Sequence, residues 1–158
     1  MQKQQISVVL HDIRSSHNVG SMFRTADALG IDKIYLSGYT PAPKDKFQRI
    51  NTEIAKVALG AEQTIPWESV KDVSVLIEKL RLEKNTIIAV EQHADAKDYK
   101  DFKVKGATVF IFGNEVEGIS EDVLSQCDGF VEIPMRGKKE SLNVSVAFGV
   151  ALARILDL

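Results

Sequence analysis

The sequence is short of the residues on which metals, disulfides and membrane spans depend. It holds one cysteine, Cys127, which rules out an intramolecular disulfide, and its three scattered histidines (His11, His17, His93) make no zinc-ligand spacing with it. No metal is expected, and a lone thiol fits a reducing, cytoplasmic location. The most apolar C-terminal run, VSVAFGVALA, falls well short of the roughly 18 residues a spanning helix needs, and MQKQQISVVL lacks a long apolar signal core. The expectation is a protein neither secreted nor embedded in a membrane. Charge of one sign is also missing: the formal net charge is −2, so contact with a polyanion must come from local clusters of Lys and Arg.

What is present is ordinary for a globular chain. At 158 residues, with 44% hydrophobic and 27% charged, it can bury roughly 68–70% of its unfolded surface around one core. No repeat, low-complexity tract or linker interrupts it, so residues 1–158 are read as a single domain.

ISVVLHDI is apolar on both parities, as in a strand covered on both faces, and leads through a polar turn into a helix over 18–30 with Asn18 as N-cap and Gly30 as left-handed C-cap. KIYLSGY predicts a second strand, and the basic, proline-bearing TPAPKDKFQR is long enough to be a functional connection. NTEIAKVALGAE predicts a short helix, VSVLIEKLRLEK a longer one, and TIIAVEQ an apolar run. ATVFIFG, SEDVLSQC, GFVEIP and SLNVSVAFGVALARIL then alternate strand, helix, strand, helix. This alternation predicts an α/β fold with a parallel sheet and helices on both faces.

Ligands of such sheets bind beyond the carboxyl ends of the strands. FGNEVEGIS has Gly113 and Gly118 at the spacing of a phosphate loop, but Ile119 stands where that loop needs lysine, and Glu115 and Glu117 would repel phosphate. A ligand with hydroxyl or cationic groups is expected there. In IPMRGKKESLNVSVA, Ser141 reads as the cap of the last helix. Asn143, between Leu142 and Val144, needs a specific polar partner. That helix is apolar nearly all round and is expected to supply a dimer face. Arg24 is a permanent cation in a small-residue helix; taken alone it would be a surface arginine or an ion pair with Asp27.

Together, NVGSMFRTADALG, VFIFGNEVEGIS and IPMRGKKESLNVSVA resemble the three signature motifs of the SpoU (TrmH-like) family of RNA 2′-O-ribose methyltransferases, and the resemblance covers nearly the whole chain. It implies a parallel sheet whose C-terminal part is tied in a deep trefoil knot, a homodimer, and an S-adenosylmethionine pocket; no periodicity in the sequence shows the knot. Carried over by motif, the cofactor residues are Val90, Glu91, Gly113, Ile133, Met135, Ser141, Leu142 and Asn143, and the catalytic set is Asn18, Arg24, Glu115, Ser141 and Asn143.

In such families the arginine is often given the part of base. A guanidinium stays charged and has no free acceptor, so Arg24 is expected instead to grip a phosphate and stabilise the emerging alkoxide. Lys44, Lys46 and Arg49, with Arg136, Lys138 and Lys139, are expected to border the RNA. Phe47 would stack on a base or anchor its loop. No recruiting domain is read before Ile6 and no long extension after Leu156, so the expected substrate is tRNA rather than rRNA. The alternatives are an rRNA enzyme and a non-catalytic module binding cofactor or RNA. An unrelated α/β nucleotide enzyme is disfavoured by the absence of a GxGxxG opening and of a lysine after Gly118.

Overall fold

The computed structural model describes residues 4–158. Thirteen elements follow one another among them: β1 (Ile6–His11), α1 (Ser16–Leu29), β2 (Lys33–Ser37), α2 (Thr52–Ala58), α3 (Ala61–Thr64), β3 (Trp67–Val70), α4 (Val73–Leu82), β4 (Thr86–Val90), β5 (Lys97–Asp98), β6 (Thr108–Phe112), α5 (Glu121–Leu124), β7 (Gly129–Glu132) and α6 (Val144–Ile155). The strands form one seven-stranded sheet in the order β3-β2-β1-β6-β4-β7-β5, and every pair is parallel.

Alternation along the central strands builds two cores. Val8 and Leu10 of β1 and Phe110 and Phe112 of β6 face Val19, Met22 and Phe23 of α1 and Phe148 and Leu152 of α6. Val9, Val109 and Ile111 point the other way, against Leu76, Ile77 and Leu80 of α4 and Val123 and Leu124 of α5. A strand used on both sides must be apolar at both parities, which is why ISVVL and TVFIF carry almost no polar residue. The expected α/β architecture with helices on both faces is therefore present. No helix among the described residues is long and apolar enough to cross a membrane.

Several local expectations are corrected. α1 starts at Ser16 and is capped by Ser15, whose hydroxyl accepts from the Asn18 N–H at 3.1 Å, so Asn18 is not the N-cap. α6 starts at Val144 with Asn143 as its cap, and Ser141 stays outside the helix. Both shifts release a polar side chain toward the strand ends. NTEIAKVALGAE is two short helices, because Leu59 (φ 54°) and Gly60 (φ 96°) adopt left-handed backbone between them. β3 and β5, at the two edges of the sheet, have no predicted counterpart; the first starts after Pro66 and the second has two residues. Edge strands bury too little to need the apolar signature that marks central ones.

Candidate cofactor and RNA site

Because all strands run the same way, the loops after β1, β4, β6 and β7 open on one edge of the sheet. A cavity of about 220 Å³ lies there. The loop after β4 contributes Val90, Glu91 and Gln92 to its wall, and the loop after β6 runs round it from Gly113 to Gly118. The last stretch before α6 supplies Ile133, Met135, Ser141 and Leu142. Three segments far apart in sequence thus meet around one space, and seven of the eight residues proposed for a cofactor line it. Asn143 does not. Its amide approaches Asn18 Oδ1 at 3.4 Å, while its own oxygen accepts from the Ser145 N–H (3.0 Å) and hydroxyl (2.6 Å). That is the specific partnership its apolar neighbours demanded.

Two glycines make the second loop's closure feasible. A Cβ on Gly113 would lie 2.5 Å from Ile119 Cγ1 and 2.8 Å from the Gly118 carbonyl carbon. Gly118 itself has φ +67°, and a Cβ there would meet the Glu91 carboxylate at 2.5 Å. That carboxylate accepts from the Ile119 N–H at 3.0 Å and the Gln92 N–H at 3.1 Å, so Glu91 ties the loop after β4 to the loop after β6. Gln92 in turn donates to the Glu140 carbonyl at 2.6 Å, which joins the third segment.

Glu115 makes the corresponding tie to the loop after β1. Its carboxylate accepts from the Arg14 N–H (3.0 Å), the Ser15 N–H (3.1 Å) and Asn18 Nδ2 (3.2 Å). Partial burial pushes its carboxyl upward, but these donors outweigh that and hold it below the ordinary value. The neighbouring Asn114, which the sequence reading passed over, is buried. Its amide donates to the Asp12 carbonyl (2.9 Å) and the Tyr39 hydroxyl (2.8 Å), and its oxygen accepts from the N–H groups of Val116 and Glu117. The signal available was an amide directly after a fully buried strand, in a position where an unpaired polar group would be costly.

The wall of the cavity carries four glutamates (Glu91, Glu115, Glu117 and Glu132) and no lysine or arginine. A phosphate-rich ligand would be repelled there and a cation favoured. Among the described residues, no group of three His, Cys, Asp or Glu could hold a metal.

The basic residues lie elsewhere. Lys44, Lys46 and Arg49 are exposed in the connection after β2, and Arg136, Lys138 and Lys139 are exposed in the stretch after β7. Arg24 is exposed on α1 and does not line the cavity of its own chain. The alternative pairing with Asp27 is not formed; Asp27 accepts from the Thr64 hydroxyl at 3.3 Å instead. Thr25, next to Arg24, packs near Gly149 of α6, where a Cβ would meet its methyl at 3.5 Å. The outward face of α6 leaves Val146 49% and Val150 40% exposed.

Comparison with known proteins identifies the family and the shared fold. The sequence matches the SpoU rRNA Methylase family over residues 5–153. It is 36% identical over 149 residues to the 23S rRNA (guanosine-2′-O-)-methyltransferase RlmB of Pseudomonas aeruginosa, covering 94% of this chain and 57% of that protein. With RlmB of Ralstonia nicotianae it shares 38% over 146 residues, 92% of this chain and 55% of the relative. The chain therefore spans little more than half the length of these curated relatives. Among solved structures, the AdoMet-bound rRNA methyltransferase from Sinorhizobium meliloti superimposes with a TM-score of 0.83 at 25% identity, covering 98% of this chain and 56% of that one. With the family matched across most of its length and the fold shared, this chain belongs to the SpoU rRNA methylase family.

Proposed function

We propose that this chain transfers a methyl group from S-adenosylmethionine to a ribose 2′-hydroxyl of RNA, and that the RNA is ribosomal. The observation that carries the reading is an acid-walled cavity closed by three distant segments. Its contents fit the cofactor: Val90, Ile133, Met135 and Leu142 give adenine apolar walls, and the glutamates suit a ligand with a sulfonium and an ammonium group. S-adenosylmethionine supplies the electrophilic methyl group. The expected preference for tRNA gives way to rRNA, because the curated relatives above are 23S rRNA enzymes. A cytoplasmic location and a single catalytic unit over 1–158 go with this reading.

The chain's own residues have two tasks. Glu115, Asn18 and Asn143 form one hydrogen-bonded set that fixes the loops after β1 and β6 against the start of α6, so the hydroxyl can be aligned with the methyl donor. Arg24 grips the phosphate beside the target ribose and stabilises the developing alkoxide, while the proton passes to a phosphate oxygen, water or a carboxylate. Because Arg24 stands outside its own chain's cavity, beside a partly exposed apolar helix, two copies paired through α6 would bring it over the partner's cavity. The knot belongs to the same reading, with the stretch before α6 threaded past the loop after β4.

The test is transfer of labelled methyl from S-adenosylmethionine into 23S rRNA transcripts and into total tRNA. Incorporation into the ribosomal transcripts, mapped to a ribose, is the expected result. Label in tRNA alone would return the substrate to the alternative, and label in neither would favour a non-catalytic module.

A further inference from the structure

The 44–50 segment after β2 is a built hairpin rather than a slack loop. Lys44 and Ile50 form an antiparallel bridge, and the Asp45 N–H donates to the Arg49 carbonyl at 3.0 Å. The Asp45 carboxylate accepts from the N–H of Phe47 (2.8 Å), the N–H of Arg49 (3.0 Å) and Arg49 Nε (2.6 Å), which organises the tip around a left-handed Gln48 (φ 62°). The base of the hairpin is equally tied down. Asn51 donates from its backbone to the Pro43 carbonyl (2.9 Å) and from its side chain to the Ser16 hydroxyl (3.1 Å), in the first turn of α1 and two residues from Asn18.

On this ordered tip the Phe47 ring is 65% exposed, so it does not anchor the loop. Lys46 Nζ lies over the ring 5.1 Å, and Arg49 Cζ 5.0 Å, from its centre, so two exposed cations share the aromatic surface with any base that stacks on it. A flat apolar ring flanked by cations matches a nucleobase with its phosphates. Between the 14–17 segment at the start of α1, to which Asn51 at the hairpin's base is bonded, and α2 runs a groove lined by Arg14, His17 and Lys56, with Glu53 as its one acid. Arg14 and Ser15 line this groove and also donate their N–H groups to Glu115 at the cavity.

We propose that the 44–50 hairpin is a stacking platform for one unpaired base of the RNA, and that the Arg14, His17 and Lys56 groove carries the phosphates between that base and the cavity. This rests on the RNA reading above and adds to it that the substrate segment is single-stranded next to the target ribose.

The test uses the full chain and two labelled probes, an unstructured RNA of about ten nucleotides and the same backbone with abasic riboses, in a fluorescence-anisotropy titration without S-adenosylmethionine. Wild type is expected to prefer the base-bearing probe by about tenfold, the range of one base–aromatic stack. Phe47→Ala should abolish the preference while leaving abasic affinity and the melting temperature unchanged, and Phe47→Trp should keep it. A preference that survives in Phe47→Ala would overturn the proposal. So would equal loss on both probes, no binding of either by wild type, or a change of sedimenting mass in Phe47→Ala with the preference intact, which would make Phe47 a subunit contact. Failure of the methyltransferase reading is seen separately, as absent methyl transfer by wild type.

Discussion

The carboxyl edge of the sheet carries two kinds of surface with opposite charge. The cavity wall has four glutamates and no basic residue, whereas the hairpin after β2, the groove beside α2 and the stretch after β7 expose Arg14, Lys44, Lys46, Arg49, Lys56, Arg136, Lys138 and Lys139. A methyl donor with a sulfonium and a polyanionic acceptor need opposite environments within a few ångströms of one ribose. Segregating the charges answers both needs, and it leaves a net charge of only −2, which is why the total says nothing about RNA.

The largest effect should come from Arg24, the cation proposed to grip the phosphate beside the target ribose. Arg24→Ala is expected to lower methyl transfer by about 10²–10³-fold, as removal of a charge-stabilising donor does elsewhere, with melting temperature and S-adenosylmethionine affinity unchanged because the side chain is exposed and outside the cavity. Arg24→Lys should also be slow, since an ammonium lacks the forked geometry; near-normal turnover would end the proposed role. If α6 pairs two copies, mixing Arg24→Ala with a cavity variant should restore activity in mixed dimers, read as labelled RNA.

Next in size are changes to the cavity's closure. Gly113→Ala puts a methyl against the Gly118 backbone and is expected to cost about 1–3 kcal/mol in a denaturant titration, with loss of S-adenosylmethionine binding. Glu115→Gln should weaken cofactor binding by about tenfold through looser ties to Arg14, Ser15 and Asn18.

The same carboxylate gives a pH dependence. Its folded value lies below its ordinary 4.5, so its stabilisation is complete above that pH and is lost as pH falls through the lower folded value. Acid titration of wild type should show that loss, and Glu115→Gln should show a smaller one, the remainder coming from other carboxylates held low, Asp45 and Glu68 among them. The smallest effect is expected at Cys127. Burial, with Asp128 beside it, pushes the thiol up to about 11, so iodoacetamide at neutral pH should modify it slowly and leave cofactor binding unaltered.

Central strands and long helices were legible because burial on both faces or along one stripe leaves a periodic trace: Val8 to Leu10 and Val109 to Phe112 carry it clearly. Cap positions were not, because Ser15, Asn18, Ser141 and Asn143 can all accept from a helix N–H, and only tertiary contacts decide which one is released. Two of the three segments around the cavity were legible as motifs, FGNEVEGIS and IPMRGKKESLN, while Gln92 in the third and Asn114 were not, since their partners, the Glu140 and Asp12 carbonyls, lie 48 and 102 residues away. The edge strands β3 and β5 left no apolar pattern to read.

The opposition between an acidic cavity and a basic exterior is tested most directly by calorimetry of the full chain with S-adenosylmethionine and, separately, with ATP, which shares its adenosine but carries negative charge. The account predicts binding of S-adenosylmethionine, lost in Gly113→Ala, and no heat from ATP. Binding of ATP alone would contradict it.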